Sequence, residues 1–255
     1  MFFHDLSIVN DSSLVKQNFL VVEMVIWPYI TLTMCGRFSN FSPLEVLRER
    51  FRADPPDEPV YPRYNAAPGQ RLIVIPMSDP HKMHLYKWGL IPHWAKDPKI
   101  GNSLINARSE TLREKPAFRG SLQKGRCLVL ADGFYEWKNM DGRKVPYRVE
   151  LTHKKPFAMA GLCSTWKDPA GKDIDTFTIV TTDANTTVSA IHDRMPVIFT
   201  PEQEMKWLDP LIGPKDIDQY LMPYADNDME LYPISTLVNS PKNDIPEILK
   251  PAAVK

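Results

Sequence analysis

Four short stretches place reactive or hydrogen-bonding side chains beside glycine, proline or arginine: "MCGRF" (34–38), "INARSET" (105–111), "ADGFYEW" (131–137) and "IHDRMP" (191–196). In the first, Cys35 follows a methionine, and a small second residue is what lets an initiator methionine be removed. If translation starts at Met34, Cys35 becomes the N-terminus. Its α-amine then has a pKa of about 7.7 to 8.0, against about 10.4 for a lysine, so a useful fraction is neutral at pH 7. Such an amine is a nucleophile without heavy desolvation. The thiol lies two carbons from the amine, so an aldehyde condensed as a Schiff base is trapped by sulfur in a five-membered thiazolidine ring. No internal cysteine has this chemistry. The competing reading of Cys35 is a small buried residue.

The other stretches supply groups such a reaction uses, each with a plainer alternative. In "ADGFYEW", strand alternation sends Phe134 and Glu136 to one face and Tyr135 and Trp137 to the other. A carboxyl amid aromatics acquires a raised pKa and serves as a general acid near neutral pH, unless Glu136 is a surface residue. His192 in "IHDRMP" is a proton shuttle flanked by Asp193 and Arg194, or a loop histidine held by hydrogen bonds. Asn106 and Arg108 alternate, so both face one way: an amide to orient a substrate and a guanidinium for a phosphate. "KWGLIPHW" interleaves Trp88, His93 and Trp94 with lysines, suiting either stacking on bases or a core with a charged rim.

Short elements must position these groups. "SPLEVLRERF" reads as an amphipathic helix with Ser42 as N-cap and Pro43 in the first position. A second helix is expected from about Ser109 toward Lys115, and a third in "PEQEMKWL", opened by Pro201. "RLIVIPM" and "HKMHLYKWGL" read as strands. "RCLVLADGFYEWK" and "VPYRVEL" form a hairpin around the Asp-Gly of "NMDGRK". "FAMAGLCSTW" and "TFTIVTT" continue the series. Many short strands, few helices and 24 prolines predict an α+β fold with a curled mixed or antiparallel sheet, or an open β-barrel core, flanked by short helices. One domain is expected from Met34 to about Ile248, with residues 1–33 as an extension and 249–255 as a tail.

The 255 residues, 43% of them hydrophobic, are enough for a sizeable core. Three scattered cysteines, none in a Cys/His ligand spacing, point away from a disulfide framework or structural zinc and toward a reducing, intracellular compartment, with no cofactor called for. Net charge is zero, which argues against a nonspecific nucleic-acid coat. The average conceals a polarity: residues 82–155 hold 16 lysines and arginines against 7 acids, and residues 156–255 hold 8 against 15. The basic part is either a phosphate-facing surface or a solvated face. Residues 19–33 are apolar but too short for a span, carry Glu23 and Pro28, and lack a small-residue cleavage site, so neither a membrane helix nor a secretion signal is read there.

In their order, "MCGRF", "RYNAAPG", "WGLIPHW", "INARSET", "FRGSLQKGRCLVLADGFYEWK", "IVTTDAN" and "IHDRMPVI" resemble the SRAP family of SOS response-associated peptidases, or abasic-site processing proteins, over residues 34 to about 243. The resemblance implies a sensor of abasic sites in single-stranded DNA, cytoplasmic and at the nucleoid in a bacterium, and monomeric. Its N-terminal cysteine forms a thiazolidine with the ring-opened abasic sugar, a covalent link that shields the lesion. Carried onto this chain, Cys35 is the nucleophile, Asn106 orients it and the sugar, Glu136 acts as acid and base with lyase-like reversal, and His192 assists proton transfer to the sugar oxygen. Arg37, Arg108 and Arg194 match positions near DNA phosphates, and Asn65, Trp94 and Thr181 are further DNA-pocket candidates.

The chain departs from the family in one respect. Residues 1–33 precede Met34, and a peptide bond on the Cys35 nitrogen would make it an amide, unable to form the link. Either the start is assigned too early or the segment is a propeptide, removed when the Cys35 thiol, with Glu136 and His192, attacks the Met34 carbonyl. The alternatives are a cysteine hydrolase acting on other proteins and a non-catalytic binder of modified DNA.

Overall fold

The computed structural model describes residues 35–253. The extension 1–33 and Met34, with the expectations attached to them, lie outside the described residues.

Two sheets carry the structure. The first, five-stranded, runs in the order β13-β8-β7-β1-β2. It comprises β1 (Phe38–Asn40), β2 (Arg63–Ala66), β7 (Gly133–Met140), β8 (Arg143–Leu151) and β13 (Met229–Pro233). In the second, β3 (Arg71–Pro76), β4 (His84–Trp88), β10 (Asp173–Asp183), β9 (Phe157–Lys167) and β6 (Arg126–Ala131) pair in a ring, since β10 bonds both β4 and β9. The curled sheet thus closes into a barrel, the fold is α+β, and the barrel is mixed because β10 runs parallel to β4. Closure removes the exposed edges that a curled open sheet would leave. The short strands β5 (Asn106–Arg108), β11 (Arg194–Pro196) and β12 (Ile198–Phe199) extend it.

The apolar runs "RLIVIP" and "RCLVLA" are continuous because both faces of β3 and β6 are covered. Leu72, Val74, Cys127 and Val129 join Phe38 and Phe134 of the first sheet in one core, while Ile73, Ile75, Leu128 and Leu130 pack beneath the helices in another. The helices are α1 (Leu44–Phe51), α2 (Pro116–Lys124), α3 (Thr186–Ser189) and α4 (Pro201–Leu208). Thr200 and Gln203 close a capping box on α4.

Three local expectations are corrected. Pro43, not Ser42, is the N-cap of α1; Ser42 instead bonds Asp132 through its backbone N–H (3.0 Å) and its hydroxyl (2.5 Å). Residues 109–111 form only a 3-10 turn, and α2 begins at Pro116, because proline both biases Lys115 away from helix and suits the first helical position. Finally, "RCLVLADGFYEWK" is two strands in different sheets, parted at Asp132. The hairpin is β7–β8 alone, turned at Asp141 and Gly142, both with positive φ (51° and 82°). Past residue 248 the chain still packs: Pro251 bridges Ile234 and the Ala252 N–H donates to the Pro233 carbonyl at 2.9 Å. No helix among the described residues is long and apolar enough to cross a membrane.

Candidate active site

Cys35 lies just ahead of β1, fully buried, with φ 43° in the left-handed region that a side chain disfavours. The register of β1 on β7 pairs Phe38 with Phe134 and Ser39 with Gly133, and the Tyr135 N–H reaches the Arg37 carbonyl at 3.0 Å. Continued one step, this pairing brings Glu136 against the chain at Cys35, whose backbone N–H donates to Glu136 Oε1 in a short hydrogen bond.

Glu136 is 3% exposed. Burial pushes its carboxyl up to about 8, and the like charge of Asp193 adds to the rise, against the hydrogen bonds from the Cys35 and Trp137 N–H groups. Burial and the nearby Glu136 likewise hold the Cys35 thiol well above its ordinary value, so it is a thiol and not a resting thiolate. A protonated acid therefore faces a protonated nucleophile, an arrangement suited to moving one proton between them as a reaction requires.

Asp193, next to His192, is near enough to Glu136 for its charge to act on the carboxyl. Ile105 and Ile191, which immediately precede Asn106 and His192, pack in the apolar cluster that contains Cys35. The Arg194 N–H donates to Nδ1 of His192 at 3.1 Å, leaving Nε2 as the donor of the neutral ring. Asp193 Oδ1 lies 3.0 Å from the same Nδ1.

The residues assigned to DNA divide into two kinds. Trp94 is half exposed and Arg108 is exposed beside Asn106 on β5. Arg37, Arg194, Asn65 and Thr181 are engaged within the protein. Arg37 donates to Asn65 Oδ1 (3.0 Å) and the Val238 carbonyl (2.7 Å), and burial pulls its guanidinium down. Asn65 is buried and spends its amide on the carbonyls of Val238, Ser240 and Asn243. Arg194 bonds Glu110 (2.7 and 3.0 Å), Asp183 (2.6 Å) and the carbonyl of buried Thr181 (2.8 Å). Partial burial pushes Glu110 up, but Arg194 outweighs it and holds the carboxyl below its ordinary range. Thr181 pairs in register with both Arg108 and Pro196, so β10 sets the spacing of this side of the site.

Sequence reasoning missed the carboxylates around Arg194 and the influence of Asp193 on Glu136. Asp183 had a signal, since it opposes Arg194 directly across β10–β11 as a cross-strand charge pair. Glu110, eighty-four positions from Arg194, had none. Among the described residues no cluster of three or more His, Cys, Asp or Glu side chains is placed to hold a metal ion.

Comparison with known proteins covers this whole region. A family model described as SOS response associated peptidase (SRAP) matches residues 34–241. The abasic site processing protein YoqW of Bacillus subtilis is 46% identical over 222 residues, 85% of this chain and 99% of that protein. The abasic site processing protein YedK of Escherichia coli is 33% identical, over 86% of this chain and 100% of its own. A crystal structure of a protein from Bacteroides thetaiotaomicron superposes with a TM-score of 0.80 at 31% identity, covering 86% of this chain and 100% of that one. By the matched span and these identities, the chain belongs to the SRAP family.

Proposed function

We propose that this protein processes abasic sites in single-stranded DNA by linking itself to them through Cys35. The observation that carries the reading is the hydrogen bond from the Cys35 nitrogen to a buried, protonated Glu136. The relatives' names supply the substrate class.

With Cys35 at the N-terminus, its neutral amine adds to the sugar aldehyde, a proton passing from nitrogen to oxygen, and Glu136 gives a proton to the departing hydroxyl, so that water leaves and a protonated imine forms. Glu136, now a carboxylate, takes the proton of the Cys35 thiol as sulfur adds to the imine carbon. The ring closes as a thiazolidine and Glu136 is again an acid. The same steps in reverse release the DNA. Asn106 orients the sugar and His192 exchanges a proton with its ring oxygen. The reaction needs no oxidant and no metal.

In the chain of 255 residues the Cys35 nitrogen is an amide, so residues 1–34 must first be absent or removed. The left-handed φ of Cys35 supports removal by the protein itself. Such a conformation costs of order 1–3 kcal/mol in a non-glycine residue, and that strain is relieved when the bond before Cys35 is cut. Attack of the Cys35 thiol on the Met34 carbonyl, with Glu136 giving its proton to the departing nitrogen and taking the thiol's proton in return, followed by hydrolysis of the thioester by water, accounts for the peptidase in the family's name.

The test combines intact mass, to establish the N-terminus, with incubation on single-stranded DNA bearing one abasic site. A covalent species on a denaturing gel is expected, lost in Cys35→Ala and absent on intact DNA. A protein with a proven Cys35 N-terminus and no covalent species refutes the proposal.

A further inference from the structure

A small cavity of about 160 Å³ opens beside Asn106, lined by Leu104, Ile105, Phe118, Arg108 and Lys115 among others. Neither cation that reaches it has an ion pair with the described residues, in contrast to Arg194 with its two carboxylates. We propose that Lys115 and Arg108 together hold a backbone phosphate of the bound strand at this cavity, making Lys115 a DNA-binding residue. The inference rests on the DNA reading above and adds a contact outside the motifs that suggested it.

Three features favour the assignment. The Lys115 backbone is fixed: its N–H donates to the Thr111 carbonyl (3.1 Å) and its carbonyl accepts from the N–H groups of Phe118 and Arg119 (3.0 Å each). A flexible ammonium on a fixed base suits a phosphate, which it meets as a point charge while Arg108 supplies a fork. Apolar walls from Leu104, Ile105 and Phe118 lower the local dielectric and strengthen the attraction. The lesser cost is also on this side. A phosphate at Lys115 and Arg108 breaks no internal pair, whereas one at Arg194 must compete with Glu110 and Asp183.

The experiment is a salt titration of binding to a fluorescent single strand, read by anisotropy, with the full chain and its variants. Each phosphate neutralised on a single strand contributes about 0.7 to the slope of log affinity against log salt. Lys115→Ala is expected to lower that slope by about 0.7 and to weaken binding about three-fold or more at low salt. Lys115→Arg restores both. Lys172→Ala, at the far end of β10 from Thr181, leaves the slope unchanged. Because the Lys115 side chain is exposed, folding is not at issue, and thermal unfolding verifies this. A wild-type chain that binds while Lys115→Ala keeps its slope, or Lys172→Ala loses as much, overturns the assignment alone. A wild-type chain without salt-dependent affinity overturns the DNA reading with it.

Discussion

One hairpin carries two buried charges of opposite design. On β8, Arg148 is 1% exposed and each of its three guanidinium nitrogens has a partner: Glu150 at 3.0 Å, Ser39 Oγ at 2.7 Å, the Tyr135 hydroxyl at 3.2 Å and the Asp132 carbonyl at 2.9 Å. On β7, Glu136 is as deeply buried, yet its hydrogen-bond donors are backbone N–H groups, with the like charge of Asp193 nearby. A buried ion that is fully matched fixes the strands around it; one left without a counter-ion keeps its proton and stays reactive. Arg148 ties β8 to β1 and β7, and that tie sets the register in which Cys35 meets Glu136.

The largest effect should come from breaking the matched charge. Arg148→Ala leaves the buried Asp132 carbonyl without its side-chain donor and takes from Glu150 one of its two cations, Lys154 remaining at 2.7 Å, which costs about 3 kcal/mol. Thermal unfolding should drop by about 10 °C, and cross-linking should fall with the folded fraction. A loss below about 1 kcal/mol would show that the network does not set the register.

Glu136→Gln should do the reverse, sparing the fold and removing chemistry. Cross-linking and its reversal should slow by about 10²-fold or more, the usual worth of a general acid. The pH signature follows from the sign of the shift. The folded state keeps a proton up to about 8 that an ordinary glutamate loses near 4.5, so stability declines as pH rises through that window. The slope is at most about 1.4 kcal/mol per pH unit. Denaturant titrations of Glu136→Gln should lack this decline; an identical decline in the variant would assign it to other groups.

The smallest change should be Tyr135→Phe. It removes one acceptor from Arg148 and the 2.5 Å hydrogen bond to the Tyr64 carbonyl. A loss of about 1–2 kcal/mol is expected in chemical denaturation, with the cross-linking rate of the folded protein unchanged. A selective loss of rate would move Tyr135 from support to chemistry.

Local patterns were legible where local physics decides. The Asp141-Gly142 turn, the Pro201 start of α4 and the alternation of Phe134 and Glu136 against Tyr135 and Trp137 all follow from neighbours in sequence. The helix expected from Ser109 toward Lys115 is only a 3-10 turn at Ser109–Thr111, and α2 starts at Pro116, whose ring disfavours helix at the residue before it. The break at Asp132 was missed because its carboxylate is occupied by Phe41 and Ser42, about ninety positions away. The same holds for the residues that the resemblance assigns to DNA. The resemblance set Arg37 and Arg194 near DNA phosphates, and only folding brought Asn65, Glu110 and Asp183 to them.

The sequence by itself determined the kinds of group available: a cysteine behind a methionine, a glutamate among aromatics, a histidine and an asparagine in ordered motifs. Those follow from side-chain chemistry and spacing alone. Tertiary structure decided their states. Only the packing of β1 on β7 buries Glu136 against Cys35, and burial without a counter-ion is what lifts the carboxyl to about 8 and holds the thiol protonated. A pKa is set by everything around a group, and most of what surrounds Glu136 is distant from it in the chain.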